Sequence, residues 1–282
     1  MRHSLIKEKG LLTMPTTIED VQPHIDMINA LIEGQNVEGH ICSGREMIWK
    51  RKNLFEIAKK CTRMLEIGFN AGHSAAHLLV ANPDLELYCF DLCYHTYTPT
   101  CFEYLKSVFG DRIKLISGDS SKTIPAFIAE HNFDISFDGF HIDGCHDPMI
   151  AREDIYWCHH LAQKDAWVVF DDTDYAPLFE LWKETLEIGD VYLIDLYDNG
   201  LFPTLKWSHG IGRYVGIIPH FDWKWYVQTN PDLPANGIIT EAKARTHWIQ
   251  YGRKERRQPN NKAFGLSPRV VETTTSTPVE MP

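Results

Sequence analysis

Leu65-Glu66-Ile67-Gly68-Phe69-Asn70-Ala71-Gly72-His73-Ser74 is the stretch of sequence that decides the fold. The apolar run before Gly68 predicts a strand, and the residues after Gly72 predict a helix. The two glycines let the backbone turn sharply and approach a ligand closely, while the helix start offers free N–H groups. The stretch therefore predicts the first strand–helix unit of an α/β sheet, with a nucleoside-bearing ligand at the turn.

Outward from this stretch, short β-rich runs alternate with helical segments, which is typical of a parallel sheet with crossover helices. Six strands are predicted at Arg63 to Ile67, Glu86 to Asp91, Lys114 to Ser117, Gly139 to Asp143, Ala166 to Phe170 and Val191 to Asp195. A last strand, Arg213 to Ile218, is predicted to close the sheet as an antiparallel edge strand. The predicted fold class is α/β: a doubly wound, mostly parallel seven-stranded sheet, Rossmann-like, with a small C-terminal helical module.

Four segments are predicted along the chain. Residues 1–40 form an N-terminal helical cap that starts at the N-cap pair Thr17 and Asp20, and residues 41–218 form the main domain, which begins with a helix from about Arg45 to Lys60. Residues 219–264 form a small helical module, and residues 265–282 form a disordered tail. The module is predicted to bury a mini-core of Trp223, Tyr226, Trp248 and Tyr251. The alternative is that its aromatic and basic groups form a docking surface for an acidic glycan or partner.

Bulk composition limits the classes of function. The 282 residues are 44% hydrophobic and 12% aromatic, which indicates a globular chain, and the net charge of −10 disfavours general nucleic-acid binding. No run reaches the roughly 20 apolar residues of a membrane helix, and Lys7, Glu8 and Lys9 stand where a signal peptide would be apolar. The seven cysteines are an odd number in a chain too large to need disulfides. We expect a cytoplasmic protein without membrane contact, and a homo-oligomer stays open.

Residues near the first turn are the candidates for cofactor binding. Asp91 follows the glycines by about 20 residues and ends the second strand, where a carboxylate accepts hydrogen bonds from both ribose hydroxyls. The third strand ends in Gly118-Asp119-Ser120, where Asp119 either meets an adenine amino group or caps the next helix. The full predicted set is Glu66, Gly68, Asn70, Gly72, Ser74, Asp91, Gly118, Asp119 and Ser120.

These residues resemble the class I S-adenosylmethionine-dependent methyltransferases. More narrowly, the string from Met64 to Asp172 is similar to the metal-assisted small-molecule O-methyltransferases, the set that includes the catechol and macrolide-sugar enzymes. The resemblance implies S-adenosylmethionine as cofactor and a small-molecule or saccharide hydroxyl as acceptor. The C-terminal module resembles one attached to glycosyltransferases and other sugar-related enzymes.

Three carboxylates are predicted to meet at one edge of the sheet. Asp143 ends the fourth strand, and Asp171 and Asp172 end the fifth. Carboxylates this close repel one another unless a cation lies among them, and an all-oxygen set suits Mg2+, Mn2+ or Ca2+ better than Zn2+. The sequence therefore predicts a divalent cation on Asp143, Asp171 and Asp172. The alternative is that these acids are helix caps and solvated strand ends.

A general base is predicted beside this edge. His146 lies on the loop just after Asp143, where similar enzymes place a lysine or another base, and its ordinary pKa near 6.5 suits neutral pH. Asp143 is the alternative base. A nicotinamide-dependent oxidoreductase would share the sheet and Asp91, but the chain lacks G-x-G-x-x-G. A non-catalytic binding protein on the same fold is the third alternative.

Overall fold

One mixed sheet organises the first of the two units into which the chain divides, Met1–Ile217 and Ile218–Pro282. A computed structural model describes residues 16–39, 47–131, 134–194, 208–216 and 221–260. Within these residues the strands of the sheet lie in the order β3-β2-β1-β4-β5-β7-β6. Their bounds are β1 Arg63–Ile67, β2 Glu86–Asp91, β3 Ile113–Ser117, β4 Phe137–Ile142, β5 Ala162–Phe170, β6 Val191–Leu193 and β7 Gly210–Tyr214. The predicted fold class is confirmed.

Helices cover both faces of the sheet. Two 3-10 helices, Ile18–Val21 and Gly110–Arg112, accompany α1 Gln22–Leu31, α2 Ile48–Ala58, α3 His73–Ala81, α4 Tyr97–Phe109, α5 Ser120–Glu130, α6 Pro148–Leu161 and α7 Ala176–Glu187. Because successive strand residues point to opposite faces, Met64 packs with the cluster that contains α1 to α4. Leu65 packs with the cluster that contains α5 to α7. This division leaves the strand ends free of helices, and the loops there form the candidate site.

Some strand boundaries differ from the prediction. β1 and β2 have the predicted bounds, whereas β5 begins four residues early because Ala162 pairs with Phe137 ahead of an irregularity in the ladder. Asp143 lies just beyond β4, and β6 ends at Leu193. β7 spans Gly210–Tyr214, so it begins three residues before the predicted Arg213 and has ended before Val215. The predicted last residues of β6 and β7, Asp195 and Ile218, lie outside the described residues.

The prediction that the last strand forms the sheet edge is wrong. β7 runs antiparallel, as expected, but it pairs with β5 on one side and with β6 on the other. Two glycines make this inner position possible. A Cβ at Gly210 would come within 2.2 Å of the Trp182 ring, and one at Gly212 within 2.4 Å of Val191 Cγ1. The sequence lacked any local signal for this insertion, because strand order depends on packing against distant residues.

The start of the chain also follows the predicted pattern locally. Thr17 and Asp20 form a reciprocal capping box at the first 3-10 helix. The helix predicted from about Arg45 to Lys60 is α2, Ile48–Ala58, and Arg45 lies outside the described residues.

The second unit is a small helical body with an aromatic core. It contains α8 Trp223–Thr229, α9 Asp232–Ala235, α10 Glu241–His247 and a π-helical turn Trp248–Gly252. Tyr226 and Trp248 are buried as predicted, and their ring centroids lie 5.6 Å apart. Phe221, which stacks on Trp248 at 5.7 Å, takes the place expected for Tyr251, which is 51% exposed. Among the helices of the described ranges, none has the length and apolar character needed to cross a bilayer.

Candidate active site

Backbone hydrogen bonds extend the sheet one residue beyond the strand ends and fix a row of site residues. Gly118 N–H donates to Asp91 O at 2.8 Å, and Gly68 N–H donates to Phe90 O at 2.8 Å. On the other side of β1, Asp143 N–H donates to Ile67 O and Asp171 N–H donates to Ile142 O, both at 2.9 Å. We call this row of strand ends, from Gly118 through Asp91, Gly68 and Asp143 to Asp171, the carboxyl rim. The rim brings the predicted cofactor residues and the predicted acidic residues onto one edge.

Gly68 and Gly72 are needed for close packing of the protein itself. Gly68 has φ +92°, and a Cβ there would lie 1.9 Å from the backbone oxygen of Asp143. Gly72 has φ +84°, and a Cβ there would lie 2.7 Å from both Leu105 and Phe69. The first turn can therefore lie directly against the end of β4 only because residue 68 has no side chain.

The Asp91 carboxylate is held in place by backbone donors. Its Oδ2 accepts a hydrogen bond from Asn70 N–H at 2.8 Å, and its Oδ1 accepts one from Cys93 N–H at 2.7 Å. Each oxygen has a second lone pair, and the side chain is only half-buried. Asp91 is therefore oriented and still able to accept hydrogen bonds from a ligand.

A segment before α2 lies over the first turn. The Asn70 side-chain amide donates to the backbone oxygens of Glu38 and Gly39, and its carbonyl accepts a hydrogen bond from Tyr97 O–H at 2.6 Å. Tyr94 O–H donates to the Glu38 carboxylate at 3.1 Å. These contacts tie the turn to the chain that leads into residues 40–46, which are not described.

Glu66 and Ser74 lie beneath the turn rather than on its surface. The Glu66 side chain is fully buried, and it accepts hydrogen bonds from Ser74 Oγ at 2.6 Å, Cys89 Sγ at 3.3 Å and His141 Nδ1 at 3.1 Å. These three partners are protein side chains below the turn, so Glu66 supports the turn from below. The predicted ligand contact of these two side chains stays a prediction.

Asp119 acts as a helix cap, which is one of the two roles that the sequence left open. Its carboxylate accepts hydrogen bonds from Ser121 N–H at 3.1 Å and Ser121 Oγ at 2.7 Å at the start of α5. A hydrogen bond from Lys122 and those from Ser121 lower the pKa of Asp119. Gly118 and Ser120 flank it on the rim, and the contact with adenine stays a prediction.

A lysine that the sequence analysis did not consider lies among the predicted metal ligands. Lys50 Nζ lies 2.5 Å from Asp171 Oδ1 and 3.5 Å from Asp172 Oδ1. Lys50 is 5% exposed and Asp171 is 3% exposed. Burial opposes the charge of Lys50, but the nearby Asp171, Asp143 and Asp172 outweigh burial and raise the pKa of the lysine. The acidic residues therefore meet as predicted, with a cation from α2 already between two of them.

His141 contributes a second positive charge below the rim. Its Nδ1 lies 3.1 Å from Glu66 Oε1, and its Nε2 lies 3.8 Å from Asp171 Oδ2. Burial disfavours the charged ring, but Asp171 and Glu66 outweigh burial and raise the pKa of His141 to about 10. Burial raises the pKa of Asp171, but Lys50 and His141 outweigh it and lower that pKa overall. Asp171 is therefore a carboxylate enclosed by two cations.

The predicted base and the second aspartate of the pair form an accessible dyad. His146 Nε2 lies 2.7 Å from Asp172 Oδ2, and the two side chains are 59% and 22% exposed. The hydrogen bond to Asp172 raises the pKa of His146 in spite of partial burial. Asp172 adopts the left-handed backbone conformation, φ +54°, which is uncommon for a residue other than glycine. The ring of exposed Tyr175 lies 6.4 Å from the His146 ring.

Asp143, the alternative base, lies between the buried and the exposed groups. Burial and the neighbouring Asp171 raise the pKa of Asp143 well above its usual range, against the effect of His141. Side-chain geometry groups Asp143 either with His141 and Asp171 or with His146 and Asp172 as sets that could hold a metal ion. In the described part of the chain these sets differ from the predicted one, because each contains a histidine. The predicted metal site on Asp143, Asp171 and Asp172 stays a prediction.

The sequence did contain a signal for Lys50. Lys50, Leu54 and Ile57 are spaced by four and three residues, so they lie on one face of α2, and all three are buried. A lysine on the apolar face of a helix needs a buried anion as its partner. His141 gave a weaker signal, because it follows the apolar Phe140 in a strand that is buried on both faces.

Comparisons with known proteins give one family match and several solved structures of similar fold. Residues 65–173 match the model of a family described as a methyltransferase domain. The cofactor-bound protein Rv0187 from MTB is a similar solved structure, with 16% identity, 74% of this chain and 100% of that chain covered, and a TM-score of 0.52. An O-methyltransferase from Bacillus cereus in complex with SAH has 12% identity, 73% and 94% coverage, and a TM-score of 0.50. SAH-bound PaMTH1, a methyltransferase from Podospora anserina, has 16% identity, 69% and 86% coverage, and a TM-score of 0.50.

At these identities the likeness to solved structures concerns the fold. No curated protein sequence matches the chain at a significant level.

Proposed function

We propose that this chain, whose residues 65–173 match a methyltransferase-domain family, transfers a methyl group from S-adenosylmethionine to a hydroxyl oxygen of a small molecule or a sugar. The observation that carries the proposal is the exposed His146–Asp172 dyad, with 2.7 Å between Nε2 and Oδ2, on the same rim as Asp91 and Gly68. Methyl transfer to a hydroxyl oxygen requires a base that takes the hydroxyl proton and a turn that binds the nucleoside part of the methyl donor.

The first turn fits the cofactor. Asp91 is oriented by the backbone N–H groups of Asn70 and Cys93 and retains lone pairs for two ribose hydroxyls. The turn lacks the G-x-G-x-x-G pattern of a dinucleotide site. The SAH complexes named for the Bacillus cereus and Podospora anserina proteins, which share this fold, support the same cofactor.

The chain must supply alignment and a deprotonated nucleophile, because the cofactor already carries an electrophilic methyl group. Asp172 accepts a hydrogen bond from His146 Nε2–H, so the neutral ring keeps its proton on Nε2 and leaves Nδ1 free to take the proton of a hydroxyl. Asp172 then stabilises the imidazolium that forms. This arrangement makes His146 the base and Asp172 the residue that orients it.

The surface beside the base suits an acceptor that contains a ring. Tyr175 is 49% exposed, and its ring centroid lies 6.4 Å from that of His146. An exposed aromatic face binds phenols and the apolar faces of sugars by stacking. We therefore propose that Tyr175 supports the acceptor ring next to His146.

Divalent-cation assistance, which the sequence predicts, is supported less well by the residues present. Asp171 Oδ1 is already bound by Lys50 at 2.5 Å, and Asp171 Oδ2 faces His141 at 3.8 Å. The Asp143, His146 and Asp172 set stays open to an ion, but an ion there would engage the nitrogen that orients the base. The proposed transfer uses no metal ion.

The experiment that tests the proposal measures transfer of labelled methyl from S-adenosylmethionine to a panel of phenols, sugars and polyols. His146→Ala should lower kcat by about 10² to 10⁴-fold, the usual contribution of a general base, and should leave the dissociation constant of S-adenosylhomocysteine unchanged. Cys145→Ser, on the same exposed loop, is the matched control and should keep wild-type kcat. Wild-type kcat in His146→Ala would refute the assignment of the base.

A further inference from the structure

The buried Lys50 takes no part in the proposed proton transfer. Its ammonium reaches from α2 into the end of β5 and contacts Asp171 and Asp172. We infer that Lys50 is the built-in counter-ion of the acidic residues, and that it positions the His146–Asp172 dyad without a divalent cation. The counter-ion role is independent of the reaction, whereas the positioning role rests on the proposed function.

Both oxygens of Asp171 already face a cationic side chain. Oδ1 contacts Lys50 Nζ at 2.5 Å and accepts the N–H of Asp172 at 2.8 Å, while Oδ2 faces His141 Nε2 at 3.8 Å. With Lys50 at 5% and Asp171 at 3% exposure, water has little access to replace any of these groups. A hard cation on Asp171 would have to displace the ammonium, because two cations sharing one oxygen in a buried site repel each other.

Lys50 also connects Asp171 to the exposed base. Asp172 offers Oδ1 to Lys50 at 3.5 Å and Oδ2 to His146 Nε2 at 2.7 Å. Buried Lys50 therefore holds one oxygen of the Asp172 carboxylate, and the other oxygen binds the exposed His146. Lys50 lies too deep to contact an acceptor, so it is a positioning residue that acts through Asp172.

With this arrangement we expect a divalent cation to inhibit the enzyme rather than to activate it. The remaining open set consists of Asp143, His146 and Asp172, whose candidate ligand atoms lie within 4.8 Å of one another. An ion in this set takes a ring nitrogen of His146 and an oxygen of Asp172 as ligands, and so competes with the hydrogen bond between these two side chains. We therefore expect Mn2+ to leave the rate unchanged at low concentration and to inhibit at millimolar concentration, and EDTA to have no effect.

The test is a titration of Mn2+ into EDTA-treated protein. Electron paramagnetic resonance measures the free ion, so the readout does not depend on catalytic activity. Wild type should bind Mn2+ only at millimolar concentration. Lys50→Met, which frees the oxygens of Asp171 and Asp172, should bind one Mn2+ at least tenfold more tightly, and Lys52→Met, two residues along the same helix and exposed, should behave as wild type. Stoichiometric micromolar binding to wild type, with no gain in Lys50→Met, would overturn the inference.

Kinetics test the positioning role separately. Lys50→Met should lower kcat at least tenfold with little change in the KM for S-adenosylmethionine, and Lys50→Arg, which keeps the charge, should recover part of the loss. Lys50→Met leaves a buried carboxylate without its partner, so if that variant does not fold, the wild-type Mn2+ titration and the effect of EDTA on its rate still decide. A wild-type rate that needs Mg2+ overturns the inference. Failure to bind S-adenosylhomocysteine would instead overturn the proposed function and leave the Mn2+ result valid.

Discussion

Replacing the buried carboxylate of Asp154 should change how the stability of the protein depends on pH. Asp154 lies on α6, is 1% exposed, and has one oxygen 3.5 Å from where a Cβ on Gly144 would lie. No described group donates a hydrogen bond of normal geometry to either oxygen. Burial therefore raises the pKa of Asp154 to about 7, although the nearby Ser120 side chain favours the ionised form.

The raised pKa fixes both the sign and the size of the effect. Between pH 4 and pH 7 the folded protein keeps the proton on Asp154 while the unfolded chain has released it, so the free energy of unfolding falls as the pH rises. The pKa moves from 3.8 to about 7. At about 1.4 kcal/mol per pH unit, the loss amounts to about 4 kcal/mol, which is complete above pH 7.

Asp154→Asn has no proton to release and should not show this loss. The difference in free energy of unfolding between Asp154→Asn and wild type should move by about 4 kcal/mol in favour of the variant from pH 4 to pH 8. The buried amide itself costs about 1 to 3 kcal/mol at every pH, so the slope is the quantity to compare. Urea unfolding at several pH values measures it, with exposed Asp134→Asn as control. Parallel curves for wild type and Asp154→Asn would refute the reasoning.

Three further substitutions test the packing and the acceptor surface. Gly68→Ala should cost about 2 to 5 kcal/mol in urea unfolding, from backbone strain and the clash with the Asp143 backbone oxygen, and a loss below 1 kcal/mol would contradict the geometry. Tyr175→Ala should raise the KM for the acceptor about three- to tenfold with little change in kcat, whereas exposed Tyr192→Ala should change neither. Tyr226→Ala should cost about 3 to 5 kcal/mol in the second unit, measured by its own unfolding transition, because the side chain is fully buried.

The sequence was informative where a signal was local. The apolar runs before Gly68 and Asp91 predicted β1 and β2 with the observed bounds, because a glycine turn or an acid directly follows each run. The parallel sheet then placed Asp143 and Asp171 on one edge, as expected from the rule that parallel strands end together. The sequence also indicated that Asp119 could cap the next helix, and the structure shows this cap.

The sequence was uninformative where a contact joins distant parts of the chain. The predicted acidic residues have a cation beside them, Lys50 of α2, which the sequence did not indicate because nothing local links α2 with Asp171 after β5. The divalent cation on Asp143, Asp171 and Asp172 stays a prediction. The inner position of β7 depended on Gly210 and Gly212 packing against Trp182 and Val191, which only the folded sheet brings together. Gly68 was expected to make room for a ligand, and the structure adds the Asp143 backbone as a second reason.

Isothermal titration of S-adenosylhomocysteine into wild type and Asp91→Asn, with NAD as the competing ligand, tests the central claim most directly. Wild type should bind one S-adenosylhomocysteine per chain and no NAD. Asp91→Asn, which keeps the shape but removes the charge that holds two hydroxyls, should bind about 10- to 100-fold more weakly, the worth of a charge-assisted hydrogen bond. Binding of NAD in place of S-adenosylhomocysteine, or equal affinity in the two proteins, would contradict the account.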